Sequence, residues 1–288
     1  MMSVWAWAMG SLVLLVGGCA ILPKWFERNL RSARDDHSRR PALWERFYSV
    51  DWGATTTNNY GFAPARGDHP ERFQHQMYRE LFERLKAKRP LEGRLKVLEV
   101  SCGRGGGLMA FVGEGSEGFD VTGLDVAPSA VAFCRRTHGE TDNRRFVEGS
   151  ALALPFADAT FDVLLNVEAS NDYGDREQFF REVARVLKPD GIFLYADSFR
   201  SAHVERVHRQ LSESGFAAEF DDITRNVLEA CRLDTPRRRT VLRRHAPLAG
   251  RLLLRRQLGN YAGLTGSRKY RAFAEGRRSY LMSVAIPG

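Results

Sequence analysis

The chain is poor in cysteine. It has four in 288 residues, at Cys19, Cys102, Cys134 and Cys231, with no CxxC pair and no cysteine–histidine cluster. That spacing argues against zinc-ribbon and disulfide-stapled folds and leaves reduced thiols as the expectation. No metal site is expected, and Cys102 is given no catalytic role. Internal repeats and low-complexity tracts are also absent, so nothing marks a solenoid. No basic residue precedes Lys24, so the chain lacks the n-region of a cleaved signal peptide. No basic–aromatic platform for stacking bases occurs, and no nucleic-acid partner is expected.

What is present begins with an uncharged run from Ser3 to Pro23, just long enough for one transmembrane helix. Lys24, Arg28, Arg31, Arg34, Arg39 and Arg40 follow it. The positive-inside rule would then place everything after the run in the cytoplasm. Val16-Gly17-Gly18-Cys19 looks like a lipoprotein cleavage box, but the missing n-region speaks against export. The expectation is therefore a membrane anchor over 1–23, a basic juxtamembrane linker over 24–43, and a single-pass membrane protein with its main domain in the cytoplasm. The net charge of +8 has a second source in the basic stretch Arg232 to Arg278.

The centre of the sequence is Leu95 to Gly107, an apolar run carrying Glu99 that breaks into glycines at 103, 105, 106 and 107. Strand, glycine turn and helix open a βαβ unit, the crevice-forming element of open parallel sheets. Beyond it strands and helices alternate. Strands are expected at Phe119 to Leu124, Arg145 to Glu148, Phe161 to Val167 and Ile192 to Ala196, with a stop-and-turn at Lys188 to Gly191. A helix is expected over Pro70 to Lys88, another begins at Pro128, and a third spans Arg176 to Leu187. Later segments read as helix (Val204 to Leu211), extended chain (Phe216 to Ile223), basic helix broken by Pro236 and Pro247 (Val227 to Leu254) and a last strand (Ser279 to Ile286). The aromatic-rich stretch Pro41 to Pro70 reads either as packing over the domain edge or as a lid. Asp125 follows the second strand, about 20 residues past the glycine turn, where an acidic side chain hydrogen-bonds ribose; its alternative role is a helix cap before Pro128.

Three separated segments carry a family resemblance. Val97-Leu98-Glu99-Val100-Ser101-Cys102-Gly103-Arg104-Gly105-Gly106-Gly107 resembles motif I of class I S-adenosylmethionine (SAM) methyltransferases. Leu154 to Val163 resembles the entry to their fourth strand, and Arg185 to Gly191 their turn before the fifth. More narrowly, Asn166-Val167-Glu168-Ala169-Ser170, Tyr195-Ala196-Asp197 and the tail from Ile223 to Tyr280 are similar to the phthiotriolone/phenolphthiotriolone dimycocerosate methyltransferases, which O-methylate hydroxyls on long lipid chains.

The resemblance implies an α/β fold: a seven-stranded, mostly parallel Rossmann-like sheet with helices on both faces. It implies a 95–288 methyltransferase domain with lid helices around 225–275, preceded by a helical lid segment over 44–94. SAM would be the cofactor. Glu99, Ser101, Gly103, Gly105 and Gly107 would hold its methionine part, Asp125 and Val126 its ribose, and Ser150 and Ala151 its adenine. Asn166 and Glu168 would line the floor where the methyl group meets its acceptor.

Relatives usually have histidine where Asn171 stands, and asparagine takes no proton at neutral pH. Asp172 and Asp197 are then the candidate bases, with Tyr173 positioning the acceptor; alternatively alignment of the reacting atoms suffices without a strong base. Whether Asn171 changes the chemistry or is silent stays open at this point. The expected function is methyl transfer to a lipid-like acceptor, at a hydroxyl oxygen. The alternatives are carbon methylation of an isoprenoid or sterol-like acceptor, and a catalytically inactive scaffold. The Asn/Asp-Pro-Pro-Tyr run of nucleic-acid methyltransferases is absent after the fourth strand.

Overall fold

A computed structural model describes residues 40–113, 118–246 and 255–288. The described chain begins with helices α1 (Arg40–Tyr48) and α2 (Arg72–Lys88), which precede strand β1 (Leu95–Val100) and helix α3 (Gly106–Val112). Then come β2 (Phe119–Asp125), α4 (Pro128–His138), β3 (Arg144–Glu148), β4 (Phe161–Val167), α5 (Arg176–Val186) and β5 (Leu187–Arg200). The remainder is α6 (Val204–Glu213), β6 (Phe216–Asp222), α7 (Thr224–His245), α8 (Arg255–Tyr261), α9 (Arg268–Ala274) and β7 (Arg278–Pro287).

The seven strands form one sheet in the order β3-β2-β1-β4-β5-β7-β6. β1 to β5 pair in parallel, and β7 runs antiparallel between β5 and β6. Every residue of β4 is buried, as a strand covered on both faces must be. Alternation along the strands then divides the core. Val97, Val163, Leu165 and Leu194 point to one face, against Met77, Leu81 and Leu85 of α2. Leu98, Leu164 and Phe193 point to the other, against Phe179, Phe180 and Val183 of α5. This is the Rossmann-like, doubly wound sheet expected from the sequence. Its order reverses beside β1, between β1 and β4, which opens a crevice at the carboxyl ends of those strands.

Three expectations need correction. Lys188 to Gly191 does not separate two elements: Leu187 already pairs with Phe161 and Ile192 with Val163, so the four residues bulge out of a continuous β5. Pro236 does not break α7, because both it and Arg232, whose carbonyl its ring leaves without a helical donor, sit on the solvent side of the helix. Pro247 lies outside the described residues. The single-pass membrane placement is also overturned: among the described residues no helix is long and apolar enough to cross a membrane. The segment 1–23 read as an anchor lies outside the described residues.

Candidate active site

The crevice is a cleft with an empty volume of about 960 Å³, including its open mouth. Ser101 and Gly103 after β1, Asp125 and Val126 at the end of β2, and Ser150 and Ala151 after β3 line it. Glu168, Asp172 and Tyr173 after β4 complete the floor. Nine side chains and turns singled out from the sequence thus converge on one cavity.

The carboxylates are held in different ways. Asp125 accepts the Gly103 amide at 2.8 Å through Oδ2 and the Ala127 amide at 2.9 Å through Oδ1. It therefore fixes the glycine turn as well as facing the cleft. Burial pushes its pKa up to about 6 against these hydrogen bonds. Glu168 has φ of +53°, a conformation costly for a side chain with a Cβ. The strain aims its carboxyl at the Tyr60 amide (2.6 Å) and the Tyr280 hydroxyl (2.9 Å), both donating to Oε1. Burial raises its pKa to about 7. Glu99 lies one layer below, accepts the Tyr78 hydroxyl at 2.6 Å, and is pushed by burial up to about 8.

The neutral groups form a second network. Tyr173 shares a 2.6 Å hydrogen bond with Ser101 and receives one at 2.9 Å from the Asn166 amide. Ser101 too is in the left-handed region, with φ of +60°. Asn166 also donates to the Val100 carbonyl at 3.0 Å, and its Oδ1 is a buried acceptor with no partner among the described residues.

Two candidate bases separate here. Asp172 lines the cleft, whereas Asp197 is buried in β5 away from it. Asp197 accepts Ser170 Oγ at 2.6 Å, the Asn171 amide at 3.1 Å, Asn171 Nδ2 at 2.5 Å and the Ser198 amide at 2.7 Å. Asn171 spends its side chain on Asp197 and on the Ser198 carbonyl. The pair braces the turn at Ser170–Asp172 against β5.

The glycine turn serves the chain as much as a ligand. A Cβ at Gly106 would collide with Thr56, and one at Gly107 with the Tyr78 ring. Only Gly103 faces the cleft, below the Tyr48 hydroxyl. Gly105 and Gly107 do not line the cavity.

The sequence led to the expectation of a lid over 44–94 but named none of the residues that form it. Arg40, Trp44 and Tyr48 of α1 and Asn58 of the following loop close the cleft from above. The loop is clamped by Glu71, whose carboxylate takes the Thr56 and Thr57 hydroxyls at 2.6 and 2.7 Å. Trp44 and Phe47 pack on Tyr261 of α8, with ring centroids 6.2 and 5.1 Å away, and Asn58 donates to the Tyr261 hydroxyl. The only sequence signal was the aromatic density of residues 44 to 62.

Comparison with known proteins agrees with this geometry. A methyltransferase-domain profile matches residues 98–195. The chain is 37% identical over 204 residues to a phthiotriol/phenolphthiotriol dimycocerosates methyltransferase of Mycobacterium ulcerans (strain Agy99), covering 69% of this chain and 74% of that one. It is 37% identical over 165 residues to a fatty-acid O-methyltransferase of Mycolicibacterium smegmatis, covering 57% of this chain and 58% of that one. A geranyl diphosphate methyltransferase solved with SAM shares the fold, with a TM-score of 0.57, 16% identity, and 82% and 100% of the two chains covered.

The fold and cleft are those of a class I SAM-dependent methyltransferase. Within that class the chain belongs to the phthiotriol/phenolphthiotriol dimycocerosates methyltransferase family. SAM is its cofactor, and the cleft suits it chemically. An ammonium and a sulfonium are cations, and the cleft lining offers the carboxylate residues Asp125, Glu168 and Asp172, with the unpartnered Asn166 oxygen buried behind Tyr173.

Proposed function

We propose that the enzyme methylates a hydroxyl oxygen of a lipid-like, apolar acceptor, with Glu168 taking the hydroxyl proton. SAM, when bound, supplies an electrophilic methyl group. Asp125 and Val126 hold the ribose, Glu99, Ser101 and Gly103 face the methionine part, and Ser150 and Ala151 flank the adenine. Gly105 and Gly107 contribute by shaping the turn. Asn166 and Tyr173 orient the acceptor beside Ser101. Asp197 and Asn171 act one step back by bracing the turn that carries Asp172 and Tyr173.

The observation that carries this reading is Glu168. Glu168 lines the cleft on a strained backbone, its Oε1 is held by the Tyr60 amide and the Tyr280 hydroxyl, and its pKa is raised to about 7, close to the ideal for a general base at neutral pH. Asp172 also lines the cleft and is the alternative proton acceptor. The aromatic roof over the floor supports an apolar acceptor and acts as a lid made by α1 and the loop after it together with α8, while α2, the rest of the expected 44–94 lid segment, packs in the sheet core. The relatives' printed substrates, phthiotriol lipids and fatty acids, point the same way.

The test is incubation with tritium-labelled SAM and a lipid extract, followed by mass spectrometry of the labelled fraction. An ether-linked methyl on an alcohol or phenol lipid is the expected product. Label on carbon, or no transfer despite SAM binding, contradicts the proposal.

A further inference from the structure

Helix α1 has no fully buried residue, yet Trp44 and Tyr48 wall the cleft. Nine residues are too few to persist as a helix on propensity alone, so contacts with the body set its seat. One is at its start, where Arg40 donates to the Asp172 carbonyl. The other is Glu45. Its Oε2 accepts the Ser129 amide at 3.0 Å, and its Oε1 accepts the Ser129 hydroxyl.

Ser129 is the second residue of α4, whose N-cap, Ala127, has no side chain able to cap it. Glu45, 84 residues earlier, supplies the missing anionic cap to the Ser129 amide at that end. The same short stretch holds Asp125, which accepts the Ala127 amide at 2.9 Å. One carboxylate therefore ties the roof helix to the loop that presents the ribose-binding aspartate.

We infer that Glu45 is a positioning residue for the cofactor, latching α1 over the nucleoside half of the cleft so that cofactor and product exchange only when the Glu45–Ser129 contact opens. This rests on the cleft being the SAM site. Glu45 touches neither cofactor nor acceptor; it acts through α1, by keeping Tyr48 over Gly103 and Trp44 on the wall.

The test uses the full chain and S-adenosylhomocysteine as the probe. Glu45→Gln keeps the shape and removes the charge, and Ser129→Ala removes the hydroxyl donor. Dissociation of the probe, followed by stopped-flow tryptophan fluorescence, speeds up about tenfold in either variant, the size of one lost charge-assisted contact. The double variant is less than additive, because both substitutions weaken the same Glu45–Ser129 contact, Ser129→Ala leaving its amide in place. KM for SAM rises while kcat holds, a split that general destabilisation does not produce. In the cofactor-free protein, amides of α1 and of Ser129 exchange hydrogen faster in Glu45→Gln than in wild type. Arg46→Ala, exposed on the same helix, changes none of these. Folded single variants with wild-type dissociation and exchange rates overturn the latch. A wild-type chain that binds neither SAM nor the probe overturns the cofactor reading instead, so the two failures are distinguishable.

Discussion

The Tyr78 hydroxyl donates to Glu99 at 2.6 Å, and the ring of the same residue fills the space that a side chain at position 107 would need. Helix α2 is thereby keyed to the glycine turn twice, once through a hydrogen bond and once through shape. Gly107→Ala is expected to cost about 1–3 kcal/mol, the usual penalty for overpacking. Urea unfolding measures it. A neutral effect would mean that Tyr78 moves aside freely and does not key the turn.

Glu99 couples stability to pH through the same bond. Burial raises its folded pKa to about 8, above its ordinary value. The stability it contributes is therefore full below its unfolded pKa and is lost as pH rises through about 8. Glu99→Gln keeps a hydrogen-bond acceptor for Tyr78 and removes the charge. At pH 8.5 the variant melts about 2–4 °C higher than wild type without cofactor, with little difference at pH 5, and binds SAM more weakly. Equal melting shifts at both pH values would refute the assignment.

Asp125 holds the glycine turn and, in the proposed site, the ribose. Asp125→Ala is expected to weaken SAM binding about 100-fold, loss of a charge-assisted hydrogen bond adding to loss of the turn it holds. Calorimetric titration decides it, and unchanged affinity removes Asp125 from the cofactor site. Wild-type affinity should also fall as pH drops below about 6, where Asp125 takes up a proton.

In the proposed mechanism Asp197 stands apart from proton transfer. It accepts donors from Ser170, Asn171 and Ser198 and is raised in pKa by burial. Asp197→Asn leaves donors unmatched and is expected to cost about 1–3 kcal/mol of stability. The pH dependence of kcat should keep its midpoint. A displaced midpoint would return Asp197 to the chemistry.

The sheet and most of the cleft floor were legible because their signals are local. Val97 to Gly107 is one continuous strand and turn, Phe161–Val167 is an unbroken apolar run, and Asp125 sits at the strand end where nucleotide crevices place an acid. Lys188 to Gly191 misled because a bulge and a turn share the same proline and glycine chemistry. Pro236 misled because on the solvent side the carbonyl it leaves without a helical donor can bond water, so the helix runs on through it. A lid over 44–94 was expected, but the contacts that seat it were illegible for a different reason. Glu45 finds Ser129, Asn58 finds Tyr261, and Tyr60 finds Glu168 across 84, 203 and 108 residues, and no local pattern announces such pairs. The strain at Glu168 is equally invisible in a sequence, since Glu-Ala-Ser has no turn signature. It was that backbone geometry, with burial, which turned a floor residue into the leading base.

The most direct test of the account is the pH profile of kcat for wild type and Glu168→Gln with a long-chain secondary alcohol as acceptor. Wild-type kcat should fall tenfold per pH unit below about 7, as the carboxyl takes up its proton. The variant should lose about 10²–10⁴-fold in kcat and show no limb near that pH, while binding SAM as tightly as wild type. A variant that retains both its rate and the limb would contradict the assignment of Glu168 as the base.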